Sequence, residues 1–141
     1  MVLNLKIRDT CVCPLELVHD MIRGKWKTII IYQLQFGNTS LSKLRRDIAG
    51  ITEKMLLQHL NELQSIGIVG KNSIPGYPLR VEYYLTERGK KVSEAVNIMQ
   101  EIGIEYMVEQ GQTDILDQKG IQYKEKIIYA GNRHLFEKEN K

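Results

Sequence analysis

Two groups of side chains in this sequence have types and spacings suited to chemistry. The first is Cys11 and Cys13, in Cys11-Val12-Cys13-Pro14. Proline suits the first turn of a helix, so Cys13 is expected at the N-cap of a helix that Pro14 opens. Unsatisfied N–H groups and the positive end of the helix dipole stabilise a thiolate there, the form that oxidants and electrophiles attack. A small, inert residue filling an N-cap would fit the position equally well. A disulfide between residues two apart is strained, so oxidation of Cys13 or Cys11 is expected to join another subunit or a small thiol. Cys-x-Cys with His19 offers three metal ligands, but structural zinc takes four and no fourth is evident, so no metal and no cofactor is expected.

The second group lies between Ser42 and Thr86. Leu56, Leu60 and Leu63 are spaced i, i+4, i+7, which gives a helix one buried face. The other side presents Lys54, Gln58, Asn61 and Glu62. A major-groove reader needs such a helix, anchored by its apolar face with polar groups toward base edges. Lys54 suits a guanine edge or a phosphate, and the amides of Gln58 and Asn61 suit adenine. Thr52 is placed to cap this helix, whose N-terminal N–H groups suit a phosphate. Arg45 and Arg46 on the preceding helix, and Lys71 and Arg80 beside a hairpin, suit backbone phosphates, which give affinity without sequence preference. An ordinary surface helix also exposes Lys, Gln and Asn, so the order of elements carries more weight than any one residue.

That order is legible along the chain. A first helix from Pro14 aligns Leu15, Val18 and Ile22 and ends at Arg23-Gly24. A second, in GKWKTIIIYQLQFG, turns Trp26, Ile29, Ile30 and Leu34 inward and stops at Gly37. Ser42 is the expected cap of a third helix, with Leu44 and Ile48 inward. Ala49-Gly50-Ile51 makes the turn into the helix that Thr52 caps. Val69–Ile74 and Arg80–Leu85 read as two strands around the turn residues Pro75-Gly76-Tyr77-Pro78. A long helix then runs from Thr86-Glu87-Arg88 to about Gln110, where Val92, Val96, Met99 and Tyr106 follow the spacing of a helix that packs on another helix. Beyond Gly111, one further helix is expected over 122–129. The whole is mainly α with a small antiparallel β-hairpin, a winged helix-turn-helix.

Composition narrows the function classes. The chain has 141 residues, 43% hydrophobic and 26% charged, with a net charge of +3. Residues 42–91 hold nine Lys/Arg against five Asp/Glu, whereas residues 92–141 hold six against nine. The positive charge therefore falls on the segment suited to phosphate. No apolar run approaches the roughly 18 residues of a membrane span, and the N-terminus lacks a signal-peptide core, so a cytoplasmic location is expected. No Gly-rich phosphate loop, Gly-x-Ser-x-Gly or His-Glu-x-x-His motif occurs, so no enzyme activity is expected.

Several motifs add a resemblance. Cys13-Pro14-Leu15-Glu16, Gly24-Lys25-Trp26-Lys27, Leu44-Arg45-Arg46, Gly50-Ile51-Thr52-Glu53-Lys54-Met55-Leu56, Leu60-Asn61-Glu62-Leu63 and Arg80–Gly89 resemble the HxlR-type branch of the MarR-related winged-helix transcriptional regulators. Ser40 stands where that family often has Arg, and Asn61 where a basic residue is common. The resemblance implies a homodimer formed through the first helix and the helix after the wing, acting on a pseudo-palindromic operator in double-stranded DNA. Leu15, Val18, Val92, Val96, Met99 and Tyr106 are then the expected dimer interface. It also implies a redox switch at the Cys-Pro start, as in several branches.

These readings divide the chain into an arm (1–12), a winged helix-turn-helix domain (13–91), a dimerisation helix (86–111) and an extension (112–141). The expected function is a sequence-specific DNA-binding regulator that responds to an oxidant or electrophile through Cys13. Two other classes stay open. A small-molecule inducer would need a cavity between the dimer helices and the DNA-binding lobes. A protein-interaction module would not bind DNA at all.

Overall fold

The computed structural model describes residues 13–123. Cys11 and the helix expected over 122–129 therefore lie wholly or mostly outside the described residues. The elements are α1 (Pro14–Met21), α2 (Lys27–Leu34), α3 (Leu41–Asp47), α4 (Glu53–Ser65), β1 (Val69–Ile74), β2 (Arg80–Leu85), α5 (Glu87–Glu109) and α6 (Thr113–Gln118). The chain is mainly α with one two-stranded antiparallel sheet. The described residues divide into two compact units, one ending at Val96 and the other starting at Asn97.

The first unit forms around the apolar stripes of α2, α3 and α4. Ile30, Ile31, Leu34, Leu44, Leu56, Leu60 and Leu63 are buried together with Ile68 and Tyr83. Burying a Leu or Ile side chain contributes roughly 1.5–3 kcal/mol, so this cluster is the main cohesive term of the unit. On α2 the inward set is Lys27, Ile30, Ile31 and Leu34. Trp26 and Ile29, expected inward, are only partly buried against the core.

Caps fix the helix-turn-helix. Ser40, and not Ser42, caps α3: its Oγ accepts the Lys43 N–H at 3.3 Å. Ser40 thus does a structural job. Thr52 caps α4 as expected, its Oγ1 accepting the Met55 N–H at 3.2 Å. Gly50, at φ +85°, makes the turn between them, with the Trp26 ring beneath it.

The wing pairs Val69 with Leu85 through to Ile74 with Arg80. Thr39 adds a bridge to Tyr83, with N–H···O distances of 3.1 and 2.8 Å, tying the loop before α3 to the sheet. Thr86 closes the wing onto α5. Its backbone N–H donates to the Ile68 carbonyl at 3.1 Å, and its hydroxyl accepts the Gly89 N–H at 3.1 Å.

In the second unit Ile104 and Leu116 are buried. The helix α6 was not expected from the sequence. At six residues it is too short for a hydrophobic period to show.

Candidate nucleic-acid interface

The stripe of α4 opposite its buried leucines carries Lys54, Gln58 and Asn61, all exposed and spaced i, i+4, i+7. The helix is anchored at both ends. Beyond Thr52 at its start, its C-terminus closes with the Ile68 N–H on the Leu63 carbonyl at 3.0 Å and the Gly67 N–H on the Gln64 carbonyl at 3.1 Å. This is the paired-bond closure that a left-handed glycine makes possible, here Gly67 at φ +72°. The Arg88 Nη1 then donates to the Ile66 carbonyl at 2.7 Å. A helix held this way presents its polar stripe in one orientation.

Glu62 does not belong to that stripe. Expected outward from its type, it is buried, and its Oε2 receives the Lys27 Nζ at 2.6 Å. Lys27 is buried too, on the α2 stripe with Ile30, Ile31 and Leu34. Periodicity alone assigns charged residues to the surface. The available signal was Lys27 alone, a charge on the inward period of α2; Glu62 lies off the leucine stripe of α4 and carries no such signal. Burial alone would raise the Glu62 carboxyl, but the Lys27 hydrogen bond and charge, with smaller help from the Gln58 hydrogen bond and His59, outweigh it and hold Glu62 below its ordinary value. Next to it, His59 is held below the ordinary histidine value by burial and then by the Lys27 charge, against the pull of Glu62 3.7 Å away.

The basic residues around α4 are unequal. Arg46 is exposed on α3, while the Arg45 Nη1 lies 3.5 Å from Glu53 Oε2 at the start of α4. With Leu41 and Ser42, these three residues line a depression beside the N-terminus of α4. Lys25 lies over the Trp26 ring at 4.5 Å, so the Gly-Lys-Trp-Lys motif places one lysine on the indole and buries the next.

Lys71 and Arg80 are both exposed, but they do not form one patch. Lys71 pairs with Tyr83 and Arg80 with Ile74, so alternation puts them on opposite faces of the hairpin. The wing tip is apolar, with Tyr77 and Leu79 exposed.

Cys13 is exposed and is the N-cap residue of α1, with extended backbone angles. Among the expected interface residues, Leu15, Val18, Met99 and Tyr106 are exposed. Val96 is buried in the chain's own core, and Val92 packs partly against it. Ile98 and Ile102, overlooked in the sequence, are about 60% exposed and extend the Met99–Tyr106 stripe.

No helix among the described residues is long and apolar enough to cross a membrane. The HxlR-like helix-turn-helix family matches residues 21–111. An uncharacterized HTH-type transcriptional regulator of Methanothermobacter thermautotrophicus is 38% identical over 98 residues, 70% of this chain and 75% of that protein. The redox regulator HypR in its oxidized form is 40% identical, with a TM-score of 0.62 over 64% of this chain and 94% of HypR. A MarR-family transcriptional regulator from Porphyromonas gingivalis W83 is 37% identical, with a TM-score of 0.64 over 71% of this chain and 97% of that one. The capped helix-turn-helix, the wing and these matches agree: the chain belongs to the HxlR-like helix-turn-helix family, a family of transcriptional regulators.

Proposed function

We propose that this protein is a homodimeric, sequence-specific DNA-binding regulator that works in the cytoplasm and answers to oxidants or electrophiles through Cys13. The observation that carries the DNA reading is the exposed Lys54–Gln58–Asn61 stripe on a helix capped at Thr52 and locked at its far end by Arg88. Lys54 and Gln58 contact base edges in the major groove. Arg46, with Arg45 and the N-terminal N–H groups of α4, holds phosphates, and Arg80 on the wing reaches the neighbouring backbone. Lys71, on the other face of the hairpin, and Asn61, deeper along α4, are secondary contacts.

Dimerisation is supported by apolar side chains that lack cover: Leu15 and Val18 on α1, and Ile98, Met99, Ile102 and Tyr106 on α5. A two-fold dimer would set its two α4 helices about 34 Å apart, one turn of DNA, and so favour a pseudo-palindromic operator.

The redox reading rests on the exposed thiol at the N-terminus of α1 and on the similarity to the redox regulator HypR. Oxidation would remove two electrons and two protons from Cys13 and a second thiol, joining them as a disulfide. A genome-wide binding map of the protein, with and without an oxidant such as diamide, tests the proposal. The expected result is a small set of promoter sites sharing an inverted repeat, with occupancy that changes on oxidation. Uniform binding with no shared sequence would overturn it.

A further inference from the structure

We propose that the buried Lys27–Glu62 pair fixes which edge of the Gln58 amide faces outward, and so sets a base preference from inside the core. The inference rests on the reading of α4 as a DNA-reading helix. The two carboxylate oxygens of Glu62 face different partners. Oε2 receives the Lys27 Nζ at 2.6 Å from α2, and Oε1 receives the Gln58 Nε2 at 3.4 Å from the exposed stripe. Glu62 thus stands between a buried lysine, its side chain only 6% exposed, and a glutamine at the surface.

A glutamine amide has one acceptor oxygen and two N–H donors, and it can flip between two nearly isosteric orientations. In the orientation seen, one N–H of Nε2 is turned toward Glu62. The remaining N–H and Oε1 form the outward edge, a fixed donor beside a fixed acceptor. Adenine presents the complementary pair in the major groove, an N7 acceptor beside an N6 donor. Without Glu62, nothing among the contacts described would distinguish the two orientations of the amide. A carboxylate could not be buried at this depth without its lysine. Lys27 therefore acts on the groove through Glu62 as a positioning residue and touches no base itself.

The test is selection from a duplex library with a randomised centre, applied to the whole chain and to three variants. Lys27→Met/Glu62→Leu replaces the pair by apolar side chains of similar bulk, an exchange that buried pairs often tolerate. Lys27→Arg keeps the pair, and Gln58→Ala removes the reader. The wild type and Lys27→Arg should enrich adenine at one position of each half-site. The double variant and Gln58→Ala should each lose about tenfold of that discrimination, with the same salt dependence as the wild type. Combining the double variant with Gln58→Ala should add nothing. The Gln58 side-chain amide resonances of the DNA-free protein should also shift in the double variant and stay put in Lys27→Arg. Retained adenine preference in the double variant, or an equal loss of affinity for all sequences, would overturn the proposal. Absence of any enrichment by the wild type, with the Gln58 resonances shifting as expected, would overturn the DNA reading itself and this inference with it.

Discussion

Gly89, early in α5, lies so close to the Ile68 carbonyl that a β-carbon there would stand 2.1 Å from its oxygen. Glycine in a helix ordinarily costs up to about 1 kcal/mol relative to alanine, so from the sequence Gly89 is a weakness. In the fold it is what lets α5 start directly against the turn between α4 and β1.

Gly89→Ala should therefore destabilise the protein by about 1–3 kcal/mol, the usual cost of forcing extra volume into a packed site. Gly103, in the same helix, has nothing of its own chain within 4 Å of its would-be β-carbon, so Gly103→Ala, made in a monomeric Ile102→Glu background, should stabilise by up to about 1 kcal/mol. Urea unfolding of both variants measures the difference. Equal signs would contradict the packing described.

The Lys27–Glu62–His59 cluster predicts how stability depends on pH. Folding lowers His59 below its ordinary 6.5, so the unfolded chain takes up that proton first. The neutral histidine's contribution is complete above about pH 6.5 and is lost as pH falls through the lower folded value. Folding also lowers Glu62 below 4.5, so its contribution is present above that and is lost at still lower pH, as pH falls through the folded value. Unfolding free energy should decline in two steps on acidification, and His59→Gln should abolish the first while leaving the second. A flat profile between about pH 7.5 and 5 in the wild type would contradict the first step.

The ion pair between Arg45 and Glu53 predicts an asymmetry between neighbouring arginines. Arg46→Ala should weaken binding to every duplex alike and reduce the salt slope by about 1. Glu53→Gln should strengthen binding, because it releases Arg45 and removes a negative charge beside the phosphates. Anisotropy titrations at several salt concentrations read both effects. Weaker binding by Glu53→Gln would contradict this assignment.

The exposed α5 stripe predicts that Ile102→Glu yields a folded monomer, seen by light scattering at micromolar concentration. Val96→Ala should act differently, because Val96 serves the chain's own core: it should lower stability by about 1–3 kcal/mol without dissociating the protein. A dimer that survives Ile102→Glu would place the interface elsewhere.

Cys13→Ser should leave DNA affinity in reducing buffer unchanged and remove its response to diamide. An oxidant response that persists would reassign sensing away from Cys13.

Much of this arrangement is written locally and could be read. The strands Val69–Ile74 and Arg80–Leu85 are bounded by Gly67 and by Pro75-Gly76-Tyr77-Pro78, and α4 announces itself by Thr52 and three leucines. What could not be read depends on partners distant in the chain. Ser40 and Ser42 are equivalent as letters, and only the Lys43 N–H decides between them. Lys71 and Arg80 look alike until strand register puts them on opposite faces. Lys27 and Glu62 are 35 positions apart in the chain, and each is a surface residue by type. Gly89 shows its role only once the Ile68 carbonyl is beside it.

The most direct test of the central claim is a titration of the protein against two duplexes from about 50 to 200 mM salt. One carries a pseudo-palindrome from the gene's own upstream region, and the other is the same sequence scrambled. A sequence-specific regulator should show steep linear loss of log affinity with log salt for both, and at least about a thousandfold preference for the palindrome at physiological salt. Equal affinity for the two duplexes, or a flat salt response, would contradict that claim.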